Sequence, residues 1–212
     1  MSSDEFRSMR PSKMRLEVLR SRFVQTTTPF CIDKRDGSNC DLGLLETEEF
    51  TAAAVLIPIF DRPKATTILL TQRAENLRYH AGQVSFPGGR MEASDSDSVD
   101  TALREAEEEI GLMRCNVEVL GRLNTYQTGT GFSIAPIIGL VVGDVRLETN
   151  PFEVSDVFEV PINYVLDSRN YQIETAEFSG VRRQFYVLPY EGRRIWGATA
   201  GMLVNLSRRL SG

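Results

Sequence analysis

The clearest chemical signal in this chain is a group of glutamates on one predicted helix, residues 99–110, which follows a glycine pair at Gly88 and Gly89. At 100° per residue, one sector of the helix surface collects three of these glutamates and leaves Glu107 across the apolar stripe from them. The three are Glu105, Glu108 and Glu109. Like charges at this spacing repel one another, and carboxylate oxygens are ligands that Mg²⁺ prefers. The pattern therefore predicts a divalent-cation site, and the alternative is a solvated acidic face.

This segment resembles the signature of the Nudix hydrolases, in which a glycine and a glutamate precede the pattern R-E-U-x-E-E-x-G-U, with U an aliphatic residue. Residues 104–112 fit the second half at every defined position, with Ala106 as a small residue at the first U. Between Gly89 and Arg104 there is one residue more than in the signature. The position of its first glutamate falls among Asp95, Ser96 and Asp97. These differences from the Nudix signature therefore affect the loop before the helix more than the expected metal site.

A second, narrower resemblance covers residues 69–89, which look like the segment LLTxRxxxLRxHxGQxxFPGG of the coenzyme A diphosphatase branch of this family. That branch also tolerates the additional residue. So many fixed positions are far more specific than a lone glycine motif. The resemblance implies hydrolysis of coenzyme A or its thioesters to adenosine 3′,5′-bisphosphate and 4′-phosphopantetheine or its acylated form. Alternatives are a Nudix hydrolase for ADP-ribose or NADH, and a Nudix-type module that binds nucleotides without hydrolysing them.

The family resemblance also implies roles for individual residues around a Mg²⁺ or Mn²⁺ cofactor. The metal ligands carried over from the motif are Glu105, Glu108, Glu109 and the carbonyl oxygen of Gly88. Arg104 would orient a glutamate by a charge-assisted hydrogen bond, or it forms only a surface pair with Glu108 four residues on. Glu105 is the first candidate for the general base. Glu153 is the second, and it could equally cap a turn.

Substrate contacts are expected from the segment before the helix. Arg73 and Arg78 would hold the 3′-phosphate or the diphosphate, because arginine suits bidentate phosphate recognition; the alternative is an ion pair fixed in the loop. Gly89 is expected beside the substrate. His80, the single histidine, is expected to form loop hydrogen bonds, and Trp196 either stacks on adenine or packs in the core.

Composition favours one compact domain. The chain has 212 residues, 42% of them hydrophobic, and a net charge of −5, which argues against non-specific nucleic-acid binding. We expect an N-terminal arm with a short helix over residues 1–45, the helix at 11–23, and a hydrolase domain over 46–212. The sequence has no apolar run of membrane-spanning length and no apolar stretch in residues 1–22, so we expect neither a membrane span nor a secretory signal.

The cysteines and the C-terminal residues predict a cytoplasmic protein. The three cysteines, Cys31, Cys40 and Cys115, lack metal-ligand spacing and are expected to be reduced thiols. The last residues are not a Ser-Lys-Leu peroxisomal signal. The expected state is a monomer or homodimer, with coenzyme A or a related nucleoside diphosphate derivative as partner.

Apolar periodicity places the remaining elements. Strands are predicted over 52–60, 66–71, 82–86, 117–123, 133–142 and 154–161, and a hairpin over 171–178 and 183–189. Short and closing helices are predicted over 163–167 and 199–209. Residues 87–89 are predicted to form a turn. Strands mixed with helices indicate an α/β fold, and the Nudix resemblance implies an α/β/α sandwich with a mixed sheet.

Overall fold

A computed structural model of the chain describes residues 16–24, 50–77, 80–178 and 181–211. The first helix, α1, covers Leu16–Val24, which corresponds to the later part of the predicted N-terminal helix. Leu19 on this helix is fully buried against the body of the protein. The remainder of the predicted arm lies outside the described residues, as do Cys31 and Cys40. None of the described helices is long and apolar enough to span a bilayer.

A mixed sheet of eight strands forms the centre of the fold. Its central strand, β1 (Thr51–Asp61), pairs antiparallel with β2 (Thr66–Arg73). Three short strands also belong to this sheet: β3 (Val84–Ser85), β4 (Gly88–Arg90) and β6 (Tyr126–Gln127). On its other side, β1 pairs in parallel with β7 (Phe132–Val141), which also pairs with β5 (Val117–Arg122). β8 (Val154–Pro161) lies antiparallel beside β2. The predictions for the five longer strands are confirmed.

A second sheet of three strands contains the predicted hairpin. Its strands are β9 (Gln172–Phe178), β10 (Val181–Tyr190) and β11 (Arg193–Trp196). The longer helices are α2 (Ser98–Ile110) and α4 (Gly197–Ser211), and α3 (Ile162–Leu166) is short. Two 3-10 helices cover Arg114–Asn116 and Ser168–Asn170. The predicted short helix and closing helix are therefore confirmed.

Each face of the mixed sheet carries its own hydrophobic core. On one face, Leu56 belongs to a buried cluster with Ala106 and Ile110 of α2. On the other, Ile57 belongs to a cluster that includes Leu203 of α4. Neighbouring residues of a strand point to opposite faces, and a strand covered on both sides reads as a continuous apolar run. The predicted α/β/α sandwich with a mixed sheet is confirmed.

The glycine segment differs from its prediction. Residues 87–89 were predicted to form a turn, but Gly88–Arg90 is the strand β4, which pairs antiparallel with β1. A Cβ atom on Gly88 would lie 2.7 Å from the Cα of Val55, so only glycine allows this approach. The strand predicted over 82–86 is shorter than expected, because only Val84–Ser85 pairs with β2. The prediction of a turn was wrong because the sequence does not reveal how closely this segment approaches β1.

Both ends of α2 have well-defined caps. The Asp97 carboxylate accepts hydrogen bonds from the backbone N–H groups of Val99 and Asp100, at 2.8 and 2.9 Å. Gly111 ends the helix with φ at 67°, a left-handed conformation that glycine adopts at little cost. The caps set the length of α2 and therefore which of its turns reach β4.

We predict that Asp97→Ala lowers the free energy of unfolding by about 1 kcal/mol, because the side chain that caps α2 is lost. Asp97→Asn is the matched control, since asparagine is an equally good N-cap. Urea unfolding followed by circular dichroism measures both changes. Equal stability of Asp97→Ala and the wild type would contradict the capping role.

Candidate active site

The candidate site lies where α2 meets β4 and the end of β2. Gly88 and Gly89 on β4 face the helix glutamates. Arg73, the last residue of β2, contacts Glu109. The turn that contains Glu153 joins the same region, because Ala74 N–H donates to the Glu153 carbonyl oxygen at 2.8 Å. Four segments that are distant in sequence therefore converge on one side of α2.

Glu109 is the most deeply buried of the three candidate metal-binding glutamates, with a side chain only 3% exposed. Its carboxylate accepts a hydrogen bond from the Gly88 N–H at 3.3 Å and lies 3.7 Å from Arg73 Nη1. Burial, with the nearby negative charges of Glu105 and Glu153, raises the pKa of Glu109 to about 8, against the opposing effects of Arg73 and the Gly88 N–H. A carboxylate in this position is stabilised by any additional positive charge.

Glu105 lies one turn before Glu109 and directly beside the second glycine. A Cβ atom on Gly89 would lie 2.3 Å from Glu105 Oε1, so a larger residue there would displace the carboxylate. Glu105 is 14% exposed and accepts a hydrogen bond from Arg104 Nη1 at 2.9 Å. Burial raises the pKa of Glu105, and Arg104 opposes this increase. Gly89, expected at the substrate, therefore also makes room for Glu105.

Arg104 forms the largest set of polar contacts in the site. It donates to Glu105, to Glu108 at 3.1 Å and to the Arg90 carbonyl oxygen at 3.2 Å. Its Nε and Nη2 atoms also donate to both oxygens of Asp95, at 2.9 and 3.0 Å. The surface pair with Glu108 exists, but it is one of several bonds. The side chain is 18% exposed and joins the helix glutamates to the loop before α2.

Asp95 is the partner of Arg104 that the sequence did not single out. Its side chain is 2% exposed and also accepts from the Glu92 N–H at 2.9 Å and Thr101 Oγ1 at 3.0 Å. The Arg104 guanidinium holds the pKa of Asp95 well below its usual range. Among the three candidates for the first glutamate position, Asp95 anchors the loop and Asp97 caps the helix. Asp95 lies six residues after Gly89, the same distance that separates the glycine from the first glutamate in the Nudix signature, G-x5-E, and this spacing could have identified it.

The other two glutamates of α2 differ in their surroundings. Glu108 is 55% exposed and contacts Arg104. Glu107 lies near Arg114, whose Nε is 3.8 Å from its carboxylate. The structure thus brings Glu105 and Glu109 together in a covered site, adds Glu108 at its edge, and separates Glu107 from them.

Glu153 belongs to a hydrogen-bonded turn at the start of β8. Asn150 Nδ2 donates to Glu153 Oε1 at 2.9 Å, and the Asn150 N–H donates to the Glu109 carbonyl oxygen at 2.9 Å. Glu153 raises the pKa of both Glu105 and Glu109 through its negative charge. Glu153 is therefore bonded to Asn150 within the turn. Its carboxylate is also close enough to Glu105 and Glu109 to raise their pKa values.

The residues expected to contact substrate differ in the surroundings that the structure gives them. Arg73 has a buried Nε atom without a hydrogen-bond partner. Arg78 lies outside the described residues. His80 Nδ1 lies 2.9 Å from Gln83 Oε1 within the loop, and the Trp196 ring packs on Phe185 with centroids 5.5 Å apart. Arg73, like Gly89, is therefore an expected substrate residue that the structure places beside a helix glutamate.

The side chains of the site suit a hard divalent cation in their chemistry. Among the described residues, no three acidic, histidine or cysteine side chains already converge as a complete metal shell. Arg104 contacts Glu105 and Glu108 instead. The buried, mutually repelling oxygens of Glu105 and Glu109 are the kind of donors that Mg²⁺ and Mn²⁺ prefer. A bound cation would offset the charge that burial disfavours.

We predict that the metal-free protein loses stability as the pH rises from about 5 to 8. Folded Glu109 keeps its proton up to a pKa of about 8, whereas the unfolded chain releases it near its ordinary value. The folded state therefore binds more protons in this window, so the free energy of unfolding falls with pH. The loss is a few kcal/mol, since one pKa unit corresponds to about 1.4 kcal/mol. Urea unfolding with a chelator present measures it.

The matched variants for this measurement are Glu109→Gln and Glu107→Gln. The first removes the titrating group and is expected to flatten the decline. The second removes an acid from the far side of the same helix and is expected to keep the wild-type slope. Parallel slopes for all three proteins would show that Glu109 does not titrate in this window.

Comparison with known proteins identifies the family. The NUDIX domain family matches residues 50–186. The chain is 42% identical over 159 residues to the uncharacterized Nudix hydrolase NudL of Yersinia enterocolitica serotype O:8, covering 75% of this chain and 81% of that protein. For NudL of Yersinia pestis strain Pestoides F, identity is also 42% and coverage is 75% and 79%. The crystal structure of a MutT/nudix family protein from Enterococcus faecalis aligns with 100% of this chain and 75% of that one, at 14% identity and a TM-score of 0.49. The chain belongs to the Nudix hydrolase family.

Proposed function

We propose that this Nudix hydrolase cleaves the diphosphate of coenzyme A or its thioesters, with Mg²⁺ or Mn²⁺ as cofactor. The products would be adenosine 3′,5′-bisphosphate and 4′-phosphopantetheine or its acylated form. We further propose that the protein is cytoplasmic and acts as a monomer or homodimer. In this reaction water adds to one phosphorus atom of the diphosphate, and the bond from that phosphorus to the bridging oxygen breaks.

The observation that carries the proposal is the contact between Arg73 and Glu109. Arg73 belongs to the segment that resembles coenzyme A diphosphatases, and Glu109 belongs to the Nudix signature. Arg73 Nη1 and Glu109 Oε1 are 3.7 Å apart, and Arg73 Nε is buried without a hydrogen-bond partner. A buried guanidinium N–H without a partner is costly, and a phosphate oxygen is a suitable acceptor for it. Arg73 is therefore our proposed phosphate-binding residue, together with Arg78.

The proposed metal ligands are Glu105, Glu108, Glu109 and the Gly88 carbonyl oxygen. A bound divalent cation would neutralise charge on the diphosphate oxygens and make water more acidic. Arg104 would position Glu105, which it already contacts through Oε1. In this arrangement Arg104 acts through a glutamate and not on the substrate.

The proposed general base is Glu105. Burial raises its pKa, so its carboxylate is a better proton acceptor than an exposed glutamate. Because Arg104 engages Oε1, our proposed acceptor for the proton of the attacking water is Oε2. Glu153 is the second candidate, although Asn150 already donates to its Oε1 atom. Gly89, which has no side chain, would leave the Glu105 carboxylate in place beside the substrate.

Two other functions use the same residues differently. One is hydrolysis of another nucleoside diphosphate derivative, such as ADP-ribose or NADH, by the same chemistry. The other is a domain that binds nucleotides without hydrolysing them. The retained glutamates of α2 favour hydrolysis, because a domain that only binds does not need a buried Glu109 beside Glu105.

We predict that the purified protein hydrolyses coenzyme A in the presence of Mg²⁺ or Mn²⁺, and is inactive with a chelator. A substrate panel tests this: coenzyme A, acetyl and long-chain thioesters, ADP-ribose and NADH, with products identified by mass spectrometry. The expected products of coenzyme A are adenosine 3′,5′-bisphosphate and 4′-phosphopantetheine. Turnover of ADP-ribose or NADH with coenzyme A intact would contradict the substrate. Nucleotide binding without turnover of any compound would favour the non-catalytic domain.

A further inference from the structure

An exposed aromatic side chain lies at the edge of the candidate site. Phe152 immediately precedes Glu153, and it is 75% exposed, the largest value among the exposed large hydrophobic residues that the structure describes. Single exposed apolar residues are common on protein surfaces. Phe152 differs from such residues because it lies next to a candidate base, and the proposed mechanism does not use it.

The backbone that carries Phe152 is fixed by hydrogen bonds. The Phe152 N–H donates to Asn150 Oδ1 at 3.2 Å. The N–H groups of Glu153 and Val154 both donate to the Asn150 carbonyl oxygen, at 3.0 and 2.9 Å. A ring on such a turn has only its two side-chain torsions left to order when it binds a ligand. Phe152 is thus an exposed side chain on an ordered backbone.

The turn is also attached to the site from both sides. The Asn150 N–H donates to the Glu109 carbonyl oxygen at 2.9 Å, and the Ala74 N–H donates to the Glu153 carbonyl oxygen at 2.8 Å. Ala74 follows Arg73, the proposed phosphate-binding residue. The Cα atom of Phe152 is about 3.8 Å from that of Glu153, across one trans peptide. The turn that carries Phe152 is therefore bonded directly to Glu109 and to the neighbour of Arg73.

We infer that Phe152 provides the surface on which the adenine base of the substrate stacks. The inference rests on the proposed diphosphate hydrolase site and extends it to the nucleoside. A projecting ring offers a flat face, which suits a planar base. An acyl chain would instead need a concave apolar groove to bury its length. Phe152 would therefore contribute to affinity for the adenine half of the substrate and leave the chemical step unchanged.

The first test measures binding of AMP and of ribose 5-phosphate, which lacks the base, by calorimetry. Phe152→Ala is expected to weaken AMP binding about tenfold, in keeping with the stacking energy of one base, and to change ribose 5-phosphate binding less than about twofold. Phe152→Trp should retain AMP binding, and Phe152→Leu should behave like Phe152→Ala. For the substrate found by turnover, KM should rise about tenfold in Phe152→Ala, with kcat within about twofold of the wild type.

Ile173→Ala is the matched control, since Ile173 is an apolar residue 63% exposed on β9 of the second sheet. It should bind AMP like the wild type. Unchanged AMP binding in Phe152→Ala, full affinity in Phe152→Leu, an equal loss for ribose 5-phosphate, or no AMP binding by the wild type would each overturn the inference. If AMP binding depends on Phe152 while coenzyme A is not hydrolysed, the proposed substrate fails and the inference holds.

Discussion

The Glu109 carboxylate is almost completely buried, and polar groups from the surrounding segments compensate its charge. β4 contributes the Gly88 N–H and β2 contributes Arg73. The turn before β8 is attached through the Glu109 carbonyl oxygen. An isolated buried carboxylate is costly and takes up a proton instead, which agrees with its raised pKa. Burial and the negative charge of Glu105 both disfavour the ionised form of Glu109, and a bound cation would offset both effects.

A second set of charges connects this site to the loop before α2. Arg104 engages both oxygens of Asp95 and also reaches Glu105. Paired bonds between a guanidinium and a carboxylate fix direction as well as distance. The loop that is one residue longer than the family signature is thus held to the helix at Asp95, and the glutamates of α2 keep their positions relative to β4. The additional residue in the loop does not prevent the hydrogen bonds between Arg104 and Asp95.

Much of the fold was predictable because apolar periodicity reports burial directly. The strand β1 could be predicted from its continuous apolar run, and α2 from the helical spacing of its apolar residues. Neither prediction needed knowledge of which segments pack against them. The division of the α2 glutamates into two groups also followed from helix geometry. The strand at Gly88–Arg90 and the bond between Arg104 and Asp95 did not, because both depend on contacts between distant segments. The contact of Arg73 with Glu109 has the same origin.

The central claim is that Glu105 and Glu109 hold a divalent cation and Glu107 does not. Electron paramagnetic resonance of bound Mn²⁺ tests it directly in the wild type, Glu109→Gln and Glu107→Gln. We expect Glu107→Gln to bind Mn²⁺ with the wild-type Kd. Glu109→Gln should weaken binding at least about tenfold, since even the loss of a residue that only supports a ligand has an effect of this size. Equal Kd values for all three proteins, or an equal loss in both variants, would contradict the account.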